Sequence, residues 1–214
     1  MPPDAMSRTM PPSPHLLRCR CGRLRGEVTP SSFANRAVCY CRDCQTYAHA
    51  LDRAAETLDA HGGTEVVATL AVDVRFVEGR DALACLSLTE RGLLRWYASC
   101  CGTPIANTPR DRKLAYVGLM HNAIDHPPQA GIDRYGPVRL RLSRNNARGE
   151  PPPAGPGRIG ALLGLMAAML RARLGGTYTR SPFFDADGRP IVAPRVLDAA
   201  ELAAARRAAA FNAD

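Results

Sequence analysis

The sequence has few aromatic residues and no apolar run long enough to cross a bilayer. Aromatic residues make up 6% of the chain, with a single Trp, and no group of arginines alternates with aromatics as a base-stacking surface requires. Nucleic-acid binding is therefore not expected. The longest apolar run begins at Ile159 and is shorter than the roughly 20 residues of a transmembrane helix, so no membrane-spanning segment is expected.

The sequence begins with a proline-rich segment, MPPDAMSRTMPPSP, that lacks the apolar centre of a secretory signal peptide. We interpret residues 1–14 as a disordered tail and expect a cytoplasmic protein. In that compartment cysteines are more often metal ligands or catalytic groups than disulfide partners. The eight cysteines therefore carry the functional analysis.

Basic residues outnumber acidic ones, which leaves a formal charge of +8. Lys113 is the only lysine, so arginine supplies nearly all of the positive charge. If seven cysteines bound two zinc ions as thiolates, the net charge would fall to about +5. The basic composition is thus weak evidence for a nucleic-acid partner.

Short strand patterns separated by turns predict a mainly β fold of antiparallel strands over residues 15–143, with a C-terminal α-helical extension. A stretch rich in Pro and Gly, ARGEPPPAGPG, marks a linker at residues 144–157 because neither a helix nor a ladder tolerates it. Residues 158–214 form the predicted extension. Its last helix is short and Ala-rich, with Asp198 as the predicted N-cap.

The large apolar residues of segment 159–174 recur near one helical face, with Ala and Gly behind them. We expect this face to dock on the β domain. Pairing with a second subunit to give a homodimer, or contact with a membrane surface, are the alternatives.

Seven of the cysteines fall into three groups, whose members are Cys19-x-Cys21, Cys39-x-Cys41-x-x-Cys44 and Cys100-Cys101. Sulfurs around one tetrahedral zinc ion lie about 3.8 Å apart, whereas residues i and i+2 of a flat strand are about 6.5 Å apart. The backbone must therefore turn sharply at Cys19-x-Cys21, and Gly22 supplies the freedom to do so. Gly102 repeats this arrangement after Cys101. The pattern predicts zinc binding, while Cys85 alternates with apolar residues and is predicted to be a core residue.

The central triplet, Cys39, Cys41 and Cys44, is placed where a strand turns into a helix, whose N-terminus favours thiolates. Three thiolates with an exchangeable fourth position are typical of a catalytic zinc ion. Arg42 and Asp43 lie inside this loop and are candidates for binding a thiol substrate, or else they are solvated surface charges.

Other side chains near these groups have more ordinary interpretations. His49 is expected on a helix surface and His61 in a turn, while His121 is a candidate to approach a zinc ion. Trp96 is expected in the core, with Arg95 exposed beside it.

The order of the three groups resembles the family of glutathione-dependent formaldehyde-activating enzymes and centromere-protein-V-like proteins. The segments that match are CRCG (19–22), CYCRDC (39–44) and RWYASCCGTP (95–104), within residues 15–125. The resemblance implies a β-tent fold with two Zn²⁺ ions. One ion is structural and is held by the first and last cysteine pairs. The other is held by the triplet and accepts a small thiol such as glutathione, which reacts with an aldehyde in a carbon–sulfur lyase reaction.

The last group departs from the family pattern, which is Cys-x-x-Cys-Gly. Ala98 stands where the first of these cysteines is expected, and Cys100 is the extra thiol. If the backbone is extended, Cys100 points away from Cys101 and toward the triplet. If the strand kinks, Cys100 replaces the missing ligand, and we favour this second arrangement with Cys19, Cys21, Cys100 and Cys101 around the structural ion.

A zinc-stabilised binding domain without catalysis is the alternative function, because zinc can contribute ~10–16 kcal/mol to folding.

Overall fold

Two β-sheets carry the fold in the computed structural model, which describes residues 14–29, 31–124 and 132–210. Residues 1–13 of the predicted tail lie outside this range. The strands of the described part are β1 (His15–Arg18), β2 (Arg25–Val28), β3 (Asn35–Cys39), β4 (Thr64–Leu70), β5 (Val74–Glu78), β6 (Leu83–Ser87), β7 (Leu94–Ala98), β8 (Thr103–Thr108), β9 (Tyr116–Met120), β10 (Val138–Leu142) and β11 (Arg195–Val196). The helices are α1 (Arg42–Ala50), α2 (Ala54–Thr57), α3 (Arg158–Leu174) and α4 (Ala199–Ala209).

The smaller sheet has the order β1-β2-β5 and the larger one the order β10-β3-β4-β9-β8-β7-β6-β11. All pairs are antiparallel except at the two ends of the larger sheet, where β10 pairs with β3 and β11 with β6 in parallel. The predicted mainly β class is confirmed. The sheet is mixed because its two outermost strands, β10 and β11, come from late in the chain and pair in parallel with earlier strands.

The sequence patterns missed β8, which begins at Thr103, one residue after the last cysteine pair. Its second residue, Pro104, pairs with Tyr97 where the register with β7 shifts. Proline is tolerated inside a sheet at such an irregularity because the ladder already lacks a hydrogen bond there. Because Pro104 argues against a strand, the sequence pattern does not predict β8, although the strand is buried along its whole length.

Strand β7 is covered on both faces. On one face, Trp96 is fully buried in the main core, and its indole Nε1 donates to the Thr108 hydroxyl at 2.9 Å. On the other face lies α1, whose buried Tyr47 donates from its hydroxyl to the Trp96 carbonyl at 3.1 Å. Alternate residues of β7 are consequently buried on both sides.

The C-terminal segment contributes to the same core as the strands. Phe183 is fully buried, with its ring centroid 5.1 Å from that of Trp96 and 5.5 Å from that of Phe76. Asp198 caps α4 by accepting from the Glu201 amide at 2.8 Å, so the predicted N-cap is confirmed. Residues 183–209 therefore complete the packing that surrounds β7 and α1.

Helix α3 docks through the face opposite to the one predicted. Its buried residues are Leu165, Ala168 and Ala172, and the two alanines pack in a cluster with Leu70 and Ala115. Six of the large apolar residues of the helix are exposed and Met169 is only partly buried, which makes the docking prediction for that face wrong. Two of the three docking residues are alanines, whose small side chains let the helix backbone approach the sheet closely. No helix in the described ranges is long and apolar enough to cross a membrane.

We predict that Phe183→Ala lowers the free energy of unfolding by about 3–5 kcal/mol, because it opens a cavity beside Trp96. Urea denaturation followed by Trp fluorescence would measure the loss. Leu174→Ala is the matched control, since that side chain is 79% exposed, and it should change stability by less than about 0.5 kcal/mol. Equal stabilities of the two variants would show that the C-terminal segment adds nothing to the core.

Candidate metal centres

Four cysteines from two separate turns meet at the junction of the two sheets. Cys19 and Cys21 follow β1, and Cys100 and Cys101 lie in the turn between β7 and β8. Their sulfurs all lie within 4.8 Å of one another. The Cys21 sulfur is 3.3 Å from that of Cys100 and 3.5 Å from that of Cys19, and the Cys19 and Cys100 sulfurs are 3.8 Å apart. Four sulfurs at this spacing fit a single tetrahedral zinc ion, which needs about 3.8 Å.

Glycine shapes both turns. Gly22 has a φ of +78° and Gly102 a φ of +69°, a left-handed conformation that other residues rarely adopt. The Gly22 amide donates to the Cys19 carbonyl at 2.9 Å, and the Gly102 amide donates to the Ala98 carbonyl at 2.8 Å. Each chain segment thus folds back tightly enough to bring its two thiols to one side.

The adjacent cysteines are both directed into this cluster, with their sulfurs 3.8 Å apart. The turn after Ala98 breaks the alternation of the strand, so Cys100 does not point toward the triplet. Ala98 itself is fully buried in the core at the end of β7. Ala98 therefore serves packing, and Cys100 supplies the fourth sulfur of the cluster.

The second cluster is formed by Cys39, Cys41 and Cys44, whose sulfurs also lie within 4.8 Å of one another. Cys39 ends β3, Cys41 is the N-cap of α1, and Cys44 lies in the first helical turn. The Cys41 sulfur accepts from the Cys44 amide at 3.4 Å and is 3.1 Å from the Cys44 sulfur. Hydrogen bonds from the Cys39 and Cys44 thiols lower the pKa of Cys41. A thiolate here takes the role that Ser or Asp usually plays at a helix start.

A buried arginine faces this triplet. Arg95 is only 3% exposed, and its Nη1 lies 3.9 Å from the Cys44 sulfur and 3.2 Å from the Asn107 Oδ1. Its guanidinium carbon lies 5.1 Å from the centroid of the Tyr47 ring. Burial is the largest influence on Arg95 and would lower its pKa, but attraction and a hydrogen bond to Cys44, together with attraction to Tyr47 and Cys41, raise the pKa overall. A cation this deeply buried needs a negative partner, and the cysteine triplet supplies one.

The prediction that Arg95 is exposed is wrong because α1 covers the face of β7 on which its side chain lies. Asn107 in β8, which contacts Arg95, was missed together with that strand.

Arg42 and Asp43 are placed on the outer side of α1. Together with Gln45 and Thr46 they line a cavity of about 790 Å³, whose other wall includes Arg206 and Arg207 of α4. At about 100° per residue, these four positions of α1 fall on the side opposite to Cys44. The cavity is therefore separated from the triplet by the body of the helix.

The remaining candidates lie outside both clusters. His61 Nδ1 is 2.8 Å from the Arg148 carbonyl, and His121 Nδ1 is 3.2 Å from the Glu65 carbonyl. His49 lies near the end of α1, where burial lowers its pKa. Cys85 is 2% exposed in the main core, which confirms the prediction for it, and burial raises its pKa to about 12.

The fold and the two clusters define a mainly β protein with two sets of cysteines that can hold metal ions. The model of a protein family of unknown function, DUF6151, matches residues 6–193, and the chain belongs to that family. Three chains of solved structures match, one of them a crystal structure of a Rhodobacter sphaeroides protein. It is 18% identical, with a TM-score of 0.41 over 60% of this chain and 99% of that chain. No curated protein matches.

We predict that Gly102→Ala weakens metal binding by the four-cysteine cluster. Alanine at a φ of +69° costs about 1–2 kcal/mol and its Cβ would lie 3.3 Å from Arg53 Nε, which donates to the Cys101 carbonyl. Gly176→Ala is the matched control, because its φ is +72° and no atom lies within 4 Å of the added carbon. Titration with Co²⁺, followed by sulfur-to-metal absorption, should show weaker filling of one site in Gly102→Ala alone. Identical titrations of the two variants would contradict the role assigned to the turn.

Proposed function

We propose that this chain is a zinc protein in which two ions have different roles. Cys19, Cys21, Cys100 and Cys101 hold a structural ion that joins the two sheets. Cys39, Cys41 and Cys44 hold a second ion at which a small thiol such as glutathione combines with, or is released from, an aldehyde carbon. The observation that carries the proposal is the buried Arg95 against Cys44.

Charge balance supports this division of roles. A Zn²⁺ ion with four thiolates carries a net charge of −2, and the four-cysteine cluster can bear it because Cys21 and Cys100 are exposed to water. A Zn²⁺ ion with three thiolates carries −1, which the single guanidinium of Arg95 neutralises. The zinc ion, its three thiolates and Arg95 would thus be neutral together and could be buried without a fourth cysteine. One coordination position is left for an external ligand.

A zinc ion at the triplet would lower the pKa of a bound thiol and would polarise a carbonyl group. The protein residues around it hold the thiolates in place. Arg95 stabilises the ionised form of Cys44, Asn107 fixes the guanidinium by accepting from it, and the Tyr47 ring covers its face. The resemblance to glutathione-dependent formaldehyde-activating enzymes adds support for a carbon–sulfur lyase reaction at this position.

A zinc-stabilised binding domain without catalysis is the second candidate. The observation that favours it is the cavity beside α1, which none of the three triplet cysteines lines. In that case both ions would serve folding alone.

We predict that the purified protein contains two zinc ions per chain and that Cys44→Ser contains one. The variant should remain folded by circular dichroism, because the four-cysteine ion and the main core are intact, and it should no longer bind glutathione. Cys85→Ala is the control, since this cysteine lies outside both clusters and its loss should leave two ions. Unfolding of Cys44→Ser would favour the binding-domain alternative, and a wild-type protein without zinc would refute both.

We also predict that Arg95→Met weakens zinc binding at the triplet by about 10–100-fold, as expected for residues that support metal ligands. Methionine keeps most of the side-chain volume but removes the charge opposite Cys44. Competition with a chromophoric chelator would measure the zinc affinity of each site separately. The affinity of the four-cysteine site should be unchanged. Arg95→Lys should recover part of the loss; equal affinities of wild type and Arg95→Met would exclude electrostatic support of the triplet.

A further inference from the structure

Helix α3 presents a broad apolar face to solvent. Six large side chains on it are between 47% and 79% exposed: Ile159, Leu162, Leu163, Met166, Leu170 and Leu174. At about 100° per residue they fall within an arc of about 120°. The centre of this arc lies nearly opposite the residues that dock the helix on the protein, so the apolar face is directed outward.

The surroundings of this face are positively charged. Residues 151–184 contain four arginines and no aspartate or glutamate. Three of the arginines, Arg158, Arg171 and Arg173, are exposed on α3 itself. An apolar helix face on a helix whose only charged residues are arginines is complementary to a surface that is apolar inside and anionic at its boundary.

A polar cavity of about 630 Å³ adjoins the helix. Gly160, Ala161 and Gly164 form its α3 wall, and their small size leaves it open. Arg134, Arg139 and Arg171 line it, and none of the described residues that line it is acidic. Asn35 also lines the cavity; it is 2% exposed and its Oδ1 has no hydrogen-bond partner in the described part of the chain.

We propose that α3 and this arginine-lined cavity form a docking surface for an anionic phospholipid bilayer. The helix lies in the plane of the membrane with its apolar face at the acyl boundary. The arginines contact lipid phosphates, and the cavity accommodates a phospholipid headgroup. This proposal is independent of the chemistry proposed for the cysteine triplet.

A second copy of the chain fits this surface less well. Antiparallel pairing of two α3 helices would bring Arg158 of one beside Arg171 and Arg173 of the other, and parallel pairing would bring identical arginines together. The helix has no acidic residue to compensate this repulsion. Lipid phosphates provide the missing negative charge.

The test is flotation of the full-length protein with vesicles of phosphatidylglycerol and phosphatidylcholine in equal amounts. We expect binding to these vesicles and at least a tenfold weaker association with phosphatidylcholine alone. The double substitution Leu163→Glu and Met166→Glu should abolish binding. The control is Val77→Glu with Leu93→Glu, which makes the same charge change at side chains that are each 43% exposed elsewhere, and it should retain binding.

Arg171→Ala should weaken binding about fivefold, as one basic residue at an anionic surface contributes. Absence of wild-type flotation, or unchanged flotation of the Leu163→Glu and Met166→Glu variant, would overturn the proposal. A wild-type dimer in sedimentation that this variant loses, without vesicle binding, would assign the face to a second copy. Saturable binding of glycerol 1-phosphate by a wild-type protein that does not float with the vesicles would show that the cavity is a site for free phosphate esters and overturn membrane docking.

Discussion

Seven thiol groups are held in two clusters whose closest sulfurs are 3.1 to 3.8 Å apart, and this crowding is the constraint on which the rest of the structure depends. Thiolates at such distances repel one another strongly, and a divalent cation removes the repulsion. One cluster connects the turn after β1, in the small sheet, to the turn after β7, in the large sheet. A metal ion there would fasten together elements that are some 80 residues apart in sequence.

The other cluster depends on what covers the central strands. With α1 on one face of β7 and the aromatic core on the other, the strand has no exposed side. Trp96 and Arg95 are consequently both buried, in opposite directions. A buried tryptophan is ordinary, but a buried guanidinium requires negative charge, and the cysteine triplet is where that charge lies. The electrostatics of the second centre are thus inseparable from the layered packing.

The C-terminal segment has more than one role in this packing. Phe183 fills the aromatic core, α4 packs on α1, and β11 extends the large sheet. Helix α3 docks with Leu165 and two alanines and leaves six large apolar side chains exposed. A helix that docks through its smallest residues uses little of its apolar surface for stability, and that surface is then free to bind something else.

Local features determined much of this protein from sequence alone. The cysteine groups, the glycines that follow two of them, the strand and helix patterns and the cap at Asp198 all act within a few residues, so their spacing is sufficient to predict them. Tertiary structure decided three further points. The turn after Ala98 decides whether Cys100 joins the cluster of Cys101. Helix α1 decides whether Arg95 is buried. The closeness with which the backbone of α3 can approach the sheet decides which face of that helix docks. The last two are set by contacts between distant segments, which no local pattern of residue types encodes. The turn at Cys100 is local, and the structure chose between its two possible directions by bringing the sulfur to Cys19 and Cys21.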